Sequence, residues 1–419
     1  MTAEDVLDLD IADVVYRGLG LARREGLVYF VPGTLPGERV RARITQRHKR
    51  HVETELLDVL AAAADRVEPA CPLALRPGGG LACPGCAYQH AGYAAEVNLK
   101  QAQLADFLTH QAGLREVELA PPAAASQPLG YRNKIVLHAA GTGGEHALGY
   151  VATDNRTILD VPRCPLAVAP INAALAELRA APPPAVPPGR RIRHTLRYTA
   201  RDGVRRFVNR PPRSAPWLTE ESPVGPLRVP PSAFYQVNPL VAALLVGAVQ
   251  DVLAARQTRR VVDAYGGVGL FALAAARAGA EEVLLIDSDA AAAAAAAHNA
   301  RRLLDSDSLH VLHADAAEGL TRALAVVAPE EVTVIVDPPR RGLEPAALAA
   351  IVRASPACVL YVSCAPDTLA RDLKRLTAAG YRLRSARLFD MFPRTAAFET
   401  LAVIERVDGA AAPGVCSRP

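Results

Sequence analysis

From about residue 240 onward, apolar strand-like segments begin at Arg260 (RVVDA), Glu282 (EVLLID), Leu309 (LHVLHAD), Val332 (VTVIVD), Ala357 (ACVLYVS) and Ser385 (SARLFD). The first five recur at intervals of roughly twenty-odd residues with helical segments between them, and this alternation constrains the fold more than any other feature. It predicts an α/β architecture with a doubly wound parallel sheet, because strands that return in one direction need helical crossovers. A last segment, Glu399 to Glu405, follows its predecessor too closely for a crossover and is expected to run antiparallel.

The upstream half has a different rhythm. Residues 5–60 alternate apolar and polar positions between glycine and proline turns (GLG, REG, PGTLPGE), which predicts a small OB-like antiparallel β-barrel, assigned to residues 1–62. Arg39, Arg41, Arg43, Arg47, Lys49 and Arg50 crowd into twelve residues of it, a charge pattern that suits RNA phosphates or a plain solvated face. Residues 63–92 and 126–233 are expected to form a central α+β domain, and 93–125 a helical segment packed on the C-terminal sheet of residues 234–407. Within the central part lie the linker APPPAVPPG (181–189) and an arginine series from Arg190 to Arg213, with Tyr198, Phe207 and Trp217 near it. Such a mixture fits a surface that stacks bases, or an ordinary sheet with one polar face. The tail at 408–419, DGAAAPGVCSRP, is expected to be disordered.

Composition narrows the class. The chain has 419 residues, half of them hydrophobic, enough for two or three domains with real cores. Charged residues at 21% exclude wholesale disorder. No apolar run approaches the ~18–20 residues of a membrane span, and no N-terminal export signal appears, so a cytoplasmic protein without a membrane partner is expected. The net charge of +4 is mild, and lysine occurs only at Lys49, Lys100, Lys134 and Lys374. Seven cysteines, an odd number without an export signal, argue against a disulfide framework. Cys71, Cys83, Cys86 and the distant Cys164 are spaced for a metal, and spacing alone fits zinc held by four thiolates.

The chemistry concentrates at strand ends of the C-terminal sheet. The first strand runs into DAYGGVGLFAL, a glycine-rich turn that offers free N–H groups to a ligand, and the second ends at Asp287, where a carboxylate can hold ribose hydroxyls. Both NAD and S-adenosylmethionine fit that pattern. The turn GGVG in place of GxGxxG, the terminal strand pair and DPPRRG after strand four favour the latter. Cys364, in YVSCAPDTLARDL, stands at the ligand-facing end of strand five, a better nucleophile candidate than Cys358 in the strand body. The carboxylate Glu399 closes the motif DMFPRTAAFE.

With these motifs in order, the chain resembles the RNA uracil-C5 methyltransferase family, in its 23S rRNA branch with a TRAM domain and an iron–sulfur cluster. GLGLAR and VPGTLPGE resemble the TRAM barrel, CPGCAYQH followed by LKQ the cluster loop, and YRNK, RCP, FYQVNP, DAYGGVG, DPPRRG, VSCAP and DMFPRTAAFE follow in family order. The resemblance implies a Rossmann-like S-adenosylmethionine-dependent domain in which Gln236, Tyr265, Asp287, Asp315 and Asp337 line the cofactor site. It implies Cys364 as nucleophile toward uracil C6 and Glu399 as the base that removes the C5 proton. It also turns the cysteine set Cys71, Cys83, Cys86 and Cys164 toward a [4Fe–4S] cluster, and Arg47, Lys49, Arg50, Arg132 and Lys134 toward RNA, most simply 23S rRNA bound by a monomer. Two departures stand out, Ala365 where the family usually has asparagine and Ala397 where it usually has histidine. The competing readings are a tRNA uracil-C5 methyltransferase, a non-catalytic RNA-binding assembly factor on the same scaffold, and an NAD-linked redox enzyme.

Overall fold

In the computed structural model, which describes residues 5–115, 117–142, 145–181, 190–305 and 307–407, the strands collect into sheets of six, five, two and eight. The linker beyond Ala181 and the tail at 408–419, with Cys416, lie outside the described residues.

The first sheet contains β1 (Val6–Asp10), β2 (Asp13–Val15), β3 (Leu19–Arg24), β4 (Leu27–Pro32), β5 (Arg39–Arg47) and β6 (His51–Ala61), in the order β1-β5-β6-β4-β3-β2. Alternation sorts its side chains, so that Val40 and Ala42 of β5 are buried while Arg39 and Arg41 face outward. Leu9, Val31, Val52 and Leu56 complete the core, and β1 lies against β3, which curls the sheet into a barrel. One ladder departs from the expected antiparallel pattern: β4 and β6 are parallel. The PGTLPGE loop carries the chain past the sheet end to β5, and the β5–β6 hairpin then returns alongside β4 in its own direction.

The central sheet, β10-β9-β8-β11-β12, is antiparallel and is covered by α2 (Ala169–Ala180). Its strands are β8 (Lys134–Thr142), β9 (Glu145–Val151), β10 (Ile158–Asp160), β11 (Arg191–Thr199) and β12 (Gly203–Val208). The arginine series does not form one binding surface. Arg197 is only 2% exposed and donates to Glu220 Oε1 at 2.7 and 2.9 Å, and Trp217 packs edge-on against His298, 5.6 Å between ring centres. A strand residue pointing inward has to be paired when it is charged, which removes Arg197 from any RNA face. The hairpin β13 (Leu218–Glu220) and β14 (Leu227–Val229) leads out of this part, with Val224, Leu227, Val229 and Ala233 already packed in the C-terminal core.

The C-terminal sheet has the order β17-β16-β15-β18-β19-β21-β20-β7, where β7 is Leu119–Ala123. β15 (Arg260–Ala264), β16 (Glu282–Asp287), β17 (Leu309–His313), β18 (Val332–Val336) and β19 (Cys358–Ser363) are parallel, as the alternation predicts. Their crossover helices are α4 (Leu270–Arg277), α5 (Ala290–Leu303), α6 (Ala316–Leu324) and α7 (Pro345–Ala354), after α3 (Pro239–Ala255) and before α8 (Pro366–Ala378). The alanine run opens α5: alanine is the strongest helix former, and its small side chain lets the helix sit close to the sheet. β21 (Glu399–Arg406) runs antiparallel to both β19 and β20 (Tyr381–Phe389). The segment 93–125 supplies α1 (Tyr93–Asp106), a π-helical turn at Phe107–Gln111, and β7 (Leu119–Ala123), which adds itself parallel to β20 at the sheet edge. No helix among the described residues is long and apolar enough to cross a membrane.

Candidate active site

Cys364 and Glu399 come together through strand register. In the antiparallel β19–β21 ladder Ser363 faces Thr400, so one further step sets Cys364 opposite Glu399. Asp337 closes β18, the next strand along, and Arg340 follows in the same turn. Burial pushes the Cys364 thiol up to about 12, and Glu399 and Asp337 add to the shift while Arg340 opposes it. Burial likewise raises Glu399 well above the usual carboxylate range, and Asp337 to about 7. Glu399 Oε2 is buried without a hydrogen-bond partner. A thiol and two carboxyls beside one guanidinium form a cluster suited to nucleophilic addition and, once a carboxyl is ionised, to proton removal. Cys364 also stands just before α8, where the helix N-terminus favours negative charge on sulfur.

The neighbouring strand ends carry the residues expected to line a methyl-donor site. Tyr265 adopts φ 66 and Gly267 φ 56, a left-handed turn that brings backbone N–H groups to the sheet edge. Asp287 Oδ2 accepts from Gly267 N–H at 2.8 Å and thereby pins the turn. Asp315 caps α6, accepting from Ala317 N–H at 2.9 Å. Gln236 Oε1 and the Tyr265 hydroxyl are buried without partners, and each is a polar atom that a bound ligand could satisfy. Asp263, one residue before the end of β15, is also fully buried with both oxygens unpartnered, and burial followed by the Asp337 charge raises it. Its only sequence signal is its place beside the glycine turn.

Loops from the N-terminal half hold this edge in place. Lys100, wholly buried on α1, donates to Glu96 and to Asp390 at 2.7 Å each, and Tyr93 donates to Asp390 at 2.8 Å. Asn133 of YRNK donates to the Gln236 carbonyl at 3.2 Å, and Tyr131 to the Pro393 carbonyl at 3.0 Å. The Arg394 carbonyl accepts from Ala87 N–H at 2.9 Å and Tyr88 N–H at 3.1 Å, tying the cysteine loop to the loop that ends at Glu399.

Cys71, Cys83, Cys86 and Cys164 converge. Cys83, Cys86 and Cys164 line one cavity, and each of Cys71, Cys83 and Cys86 is raised chiefly by burial and further by other thiols of the set. Backbone N–H groups of Leu73, Ala74 and Gly85 point at the sulfurs of Cys71 and Cys83, and Gln89 donates to Cys86 Sγ at 3.5 Å. Four thiols with N–H donors suit an iron–sulfur cluster, whose sulfurs take such bonds.

The basic residues divide. Arg41 and Arg43 are engaged by Asp8 and Glu55, whereas Arg47, Lys49 and Arg50 at the β5–β6 hairpin tip are exposed and, among the described residues, free of ion pairs. Lys134 is half-buried beside Arg193, Arg197 and Glu220, and Arg132 lines a cavity that Arg340 also lines. Ala365 and Ala397 line that same cavity.

The comparisons agree with this geometry. The family described as tRNA (Uracil-5-)-methyltransferase matches residues 226–407, and the TRAM domain matches residues 5–57. The 23S rRNA (uracil(1939)-C(5))-methyltransferase RlmD of Acidithiobacillus ferrooxidans is 33% identical over 430 residues, covering 93% of this chain and 95% of its own. An RNA methyltransferase of Thermosynechococcus vestitus is 30% identical over 451 residues, covering 95% and 97%. The Pyrococcus abyssi tRNA (uracil-54, C5)-methyltransferase, solved with S-adenosyl-L-homocysteine, shares the fold at TM-score 0.71 and 22% identity, covering 96% of this chain and 100% of that one. A likeness that runs nearly end to end, over a strand edge built in this way, means that the chain belongs to the S-adenosylmethionine-dependent RNA uracil-C5 methyltransferase family and carries an N-terminal TRAM domain.

Proposed function

We propose that the protein methylates C5 of a uridine in 23S rRNA through a covalent bond between Cys364 and uracil C6. The observation that carries this reading is the side-by-side placement of Cys364 and Glu399 at the ligand edge. Uracil C5 is a poor nucleophile until a group adds at C6. Cys364 gives up its S–H proton to solvent as its sulfur bonds C6, the electron pair of the C5–C6 bond moves into an enolate, and C5 then carries the nucleophilic density. Gln236, Tyr265, Asp287, Asp315 and Asp337 would hold S-adenosylmethionine, whose methyl group would bond C5 as its S–CH3 bond breaks, with S-adenosylhomocysteine as the leaving group. Glu399 then takes the C5 proton, the C5–C6 double bond re-forms and the Cys364 sulfur departs. The uridine has to be extruded from its stack for both faces of this chemistry to be reached.

Cys71, Cys83, Cys86 and Cys164 would hold a [4Fe–4S] cluster whose part would be to order the loop beside the site; methyl transfer of this kind needs no redox step. Arg47, Lys49 and Arg50, with Arg132 and Lys134, contact RNA. One chain carries every group named, so a monomer suffices, and free thiols beside an RNA substrate suit the cytoplasm. The near-full-length relatives named for 23S rRNA support that RNA over tRNA.

Glu399→Gln tests the reading. It should methylate once and stall as a protein–RNA adduct that survives denaturation, with turnover down ~10²–10⁴-fold. Deproteinised 23S rRNA should yield the adduct and tRNA should not. Full turnover by this variant would exclude Glu399 as the base.

A further inference from the structure

One cavity of about 530 Å³ draws on three parts of the chain. It is lined by Tyr16 and Arg17 of the barrel, Gly85 of the cysteine loop, Arg132, and Arg340 with Ala365 at the catalytic edge. Three guanidiniums therefore share one opening. Arg132 Nε is buried without a hydrogen-bond partner. Asp367 is a carboxylate in the lining, and Glu399 and Asp337 stand near Arg340 at the catalytic edge, which leaves Arg17 and Arg132 as the cations with no ion pair among the described residues. Like charges gathered without partners mark a place for an anion.

The barrel's share of this lining is built under strain. The β2–β3 turn is closed by Gly18 N–H donating to the Val15 carbonyl at 3.1 Å, and Arg17 sits inside it at φ 75. That left-handed conformation favours glycine or asparagine, and the sequence places arginine there. Gly18 follows at φ 73, and a Cβ on it would stand 2.8 Å from Ala87 Cβ, so the turn is pressed against the cysteine loop. Tyr16 is fixed edge-on between Phe107 and Phe398, at ring separations of 5.3 and 6.2 Å, and Phe398 directly precedes Glu399.

We infer that the Tyr16–Arg17 turn belongs to the target-nucleotide pocket: Arg17, together with Arg132 and Arg340, grips the phosphodiester of the nucleotide extruded toward Cys364, and Tyr16 walls the pocket. The inference rests on the uridine reading above and extends the barrel's role from the exposed hairpin tip to the reacting nucleotide. Strain at Arg17 is then the consequence of aiming a guanidinium where the turn alone would favour glycine.

Arg17→Gly separates this role from a structural one, because glycine suits the turn better than the native residue. Its thermal midpoint should be unchanged or higher. Binding of a single-stranded ten-residue oligouridylate, read by fluorescence anisotropy, should weaken ~3–10-fold, with the slope of log affinity against log salt flatter by about 0.7. KM for 23S rRNA should rise by a similar factor while kcat changes little, and Arg17→Lys should recover part of both losses. Wild-type oligouridylate affinity and salt slope in Arg17→Gly would overturn the assignment. Wild-type protein that binds RNA but forms no 5-methyluridine would instead count against the uridine reading, and the binding arm would still judge Arg17.

Discussion

Cys364 and Cys86 share one number and differ in everything that decides what a thiol does. Burial pushes each up to about 12. Cys364 stands at a strand end before a helix N-terminus, with Glu399, Asp337 and Arg340 as its charged neighbours. Cys86 lies in an irregular loop, where Gln89 and the other thiols of its set are the chief side-chain influences on it. Neighbours that can move a proton suit a nucleophile, whereas neighbours that are themselves sulfurs suit a shared cation. The two sites are nevertheless coupled, because the Arg394 carbonyl bonds the loop of one to the loop of the other.

The hardest test of this contrast is to remove each sulfur in turn. Cys364→Ala should bind RNA and S-adenosylmethionine yet form no 5-methyluridine and no adduct, also when combined with Glu399→Gln. Cys86→Ser should lose the iron and sulfide of anaerobically purified protein but still form the adduct in the Glu399→Gln background. Cys358→Ser, inside β19, should leave adduct formation intact. An adduct that persists without Cys364 would erase the distinction between the two thiols.

A second test acts on the link between the sites. Lys100→Met would leave Glu96 and Asp390 buried without their shared cation, and unpairing buried charge of this kind costs about 3–5 kcal/mol. Denaturant unfolding should register that loss, and methylation should fall with it because Asp390 and Arg394 belong to the loop that ends at Glu399. An unchanged unfolding midpoint would show that the buried Lys100 cluster contributes little to holding that loop.

The strand ends that carry the chemistry were legible because their signals are local: a period of apolar segments, a glycine turn and a cysteine followed by Pro366. The antiparallel direction of β21 followed from loop length, and register then brings Cys364 to Glu399. Other features depend on distant partners. β7 reads LAPPA, and two prolines argue against a strand unless it lies at an edge, which only β20 reveals. Arg197 looked like one arginine of a surface series until Glu220, folded back from β13, took it inside. Tyr16 and Arg17 carried no signal beyond a hairpin turn, since the cavity they line is assembled from segments far apart in the chain.

The smallest effect sharpens what the helix N-terminus contributes. Ala365 is the N-cap of α8 and offers no side-chain acceptor; Ser363 Oγ accepts from its N–H at 3.2 Å. Ala365→Asn should add a cap worth about 1 kcal/mol, visible as a raised thermal midpoint. If the midpoint does not move, the cysteine turn is already held by Ser363 and the family's asparagine serves the cavity instead.

The edge strand β7 has a consequence for how such a protein can be made. It leaves the ribosome well before β20 exists, and Tyr93 waits 297 residues for Asp390. The first half of the chain therefore emerges with a strand and a buried lysine whose partners are still untranslated. Conversely, a fragment starting near residue 226 would present β20 as a bare hydrogen-bonding edge, open to pairing with another copy. The methyltransferase sheet, although its chemistry is written almost wholly in the second half, is finished only by residues synthesised in the first.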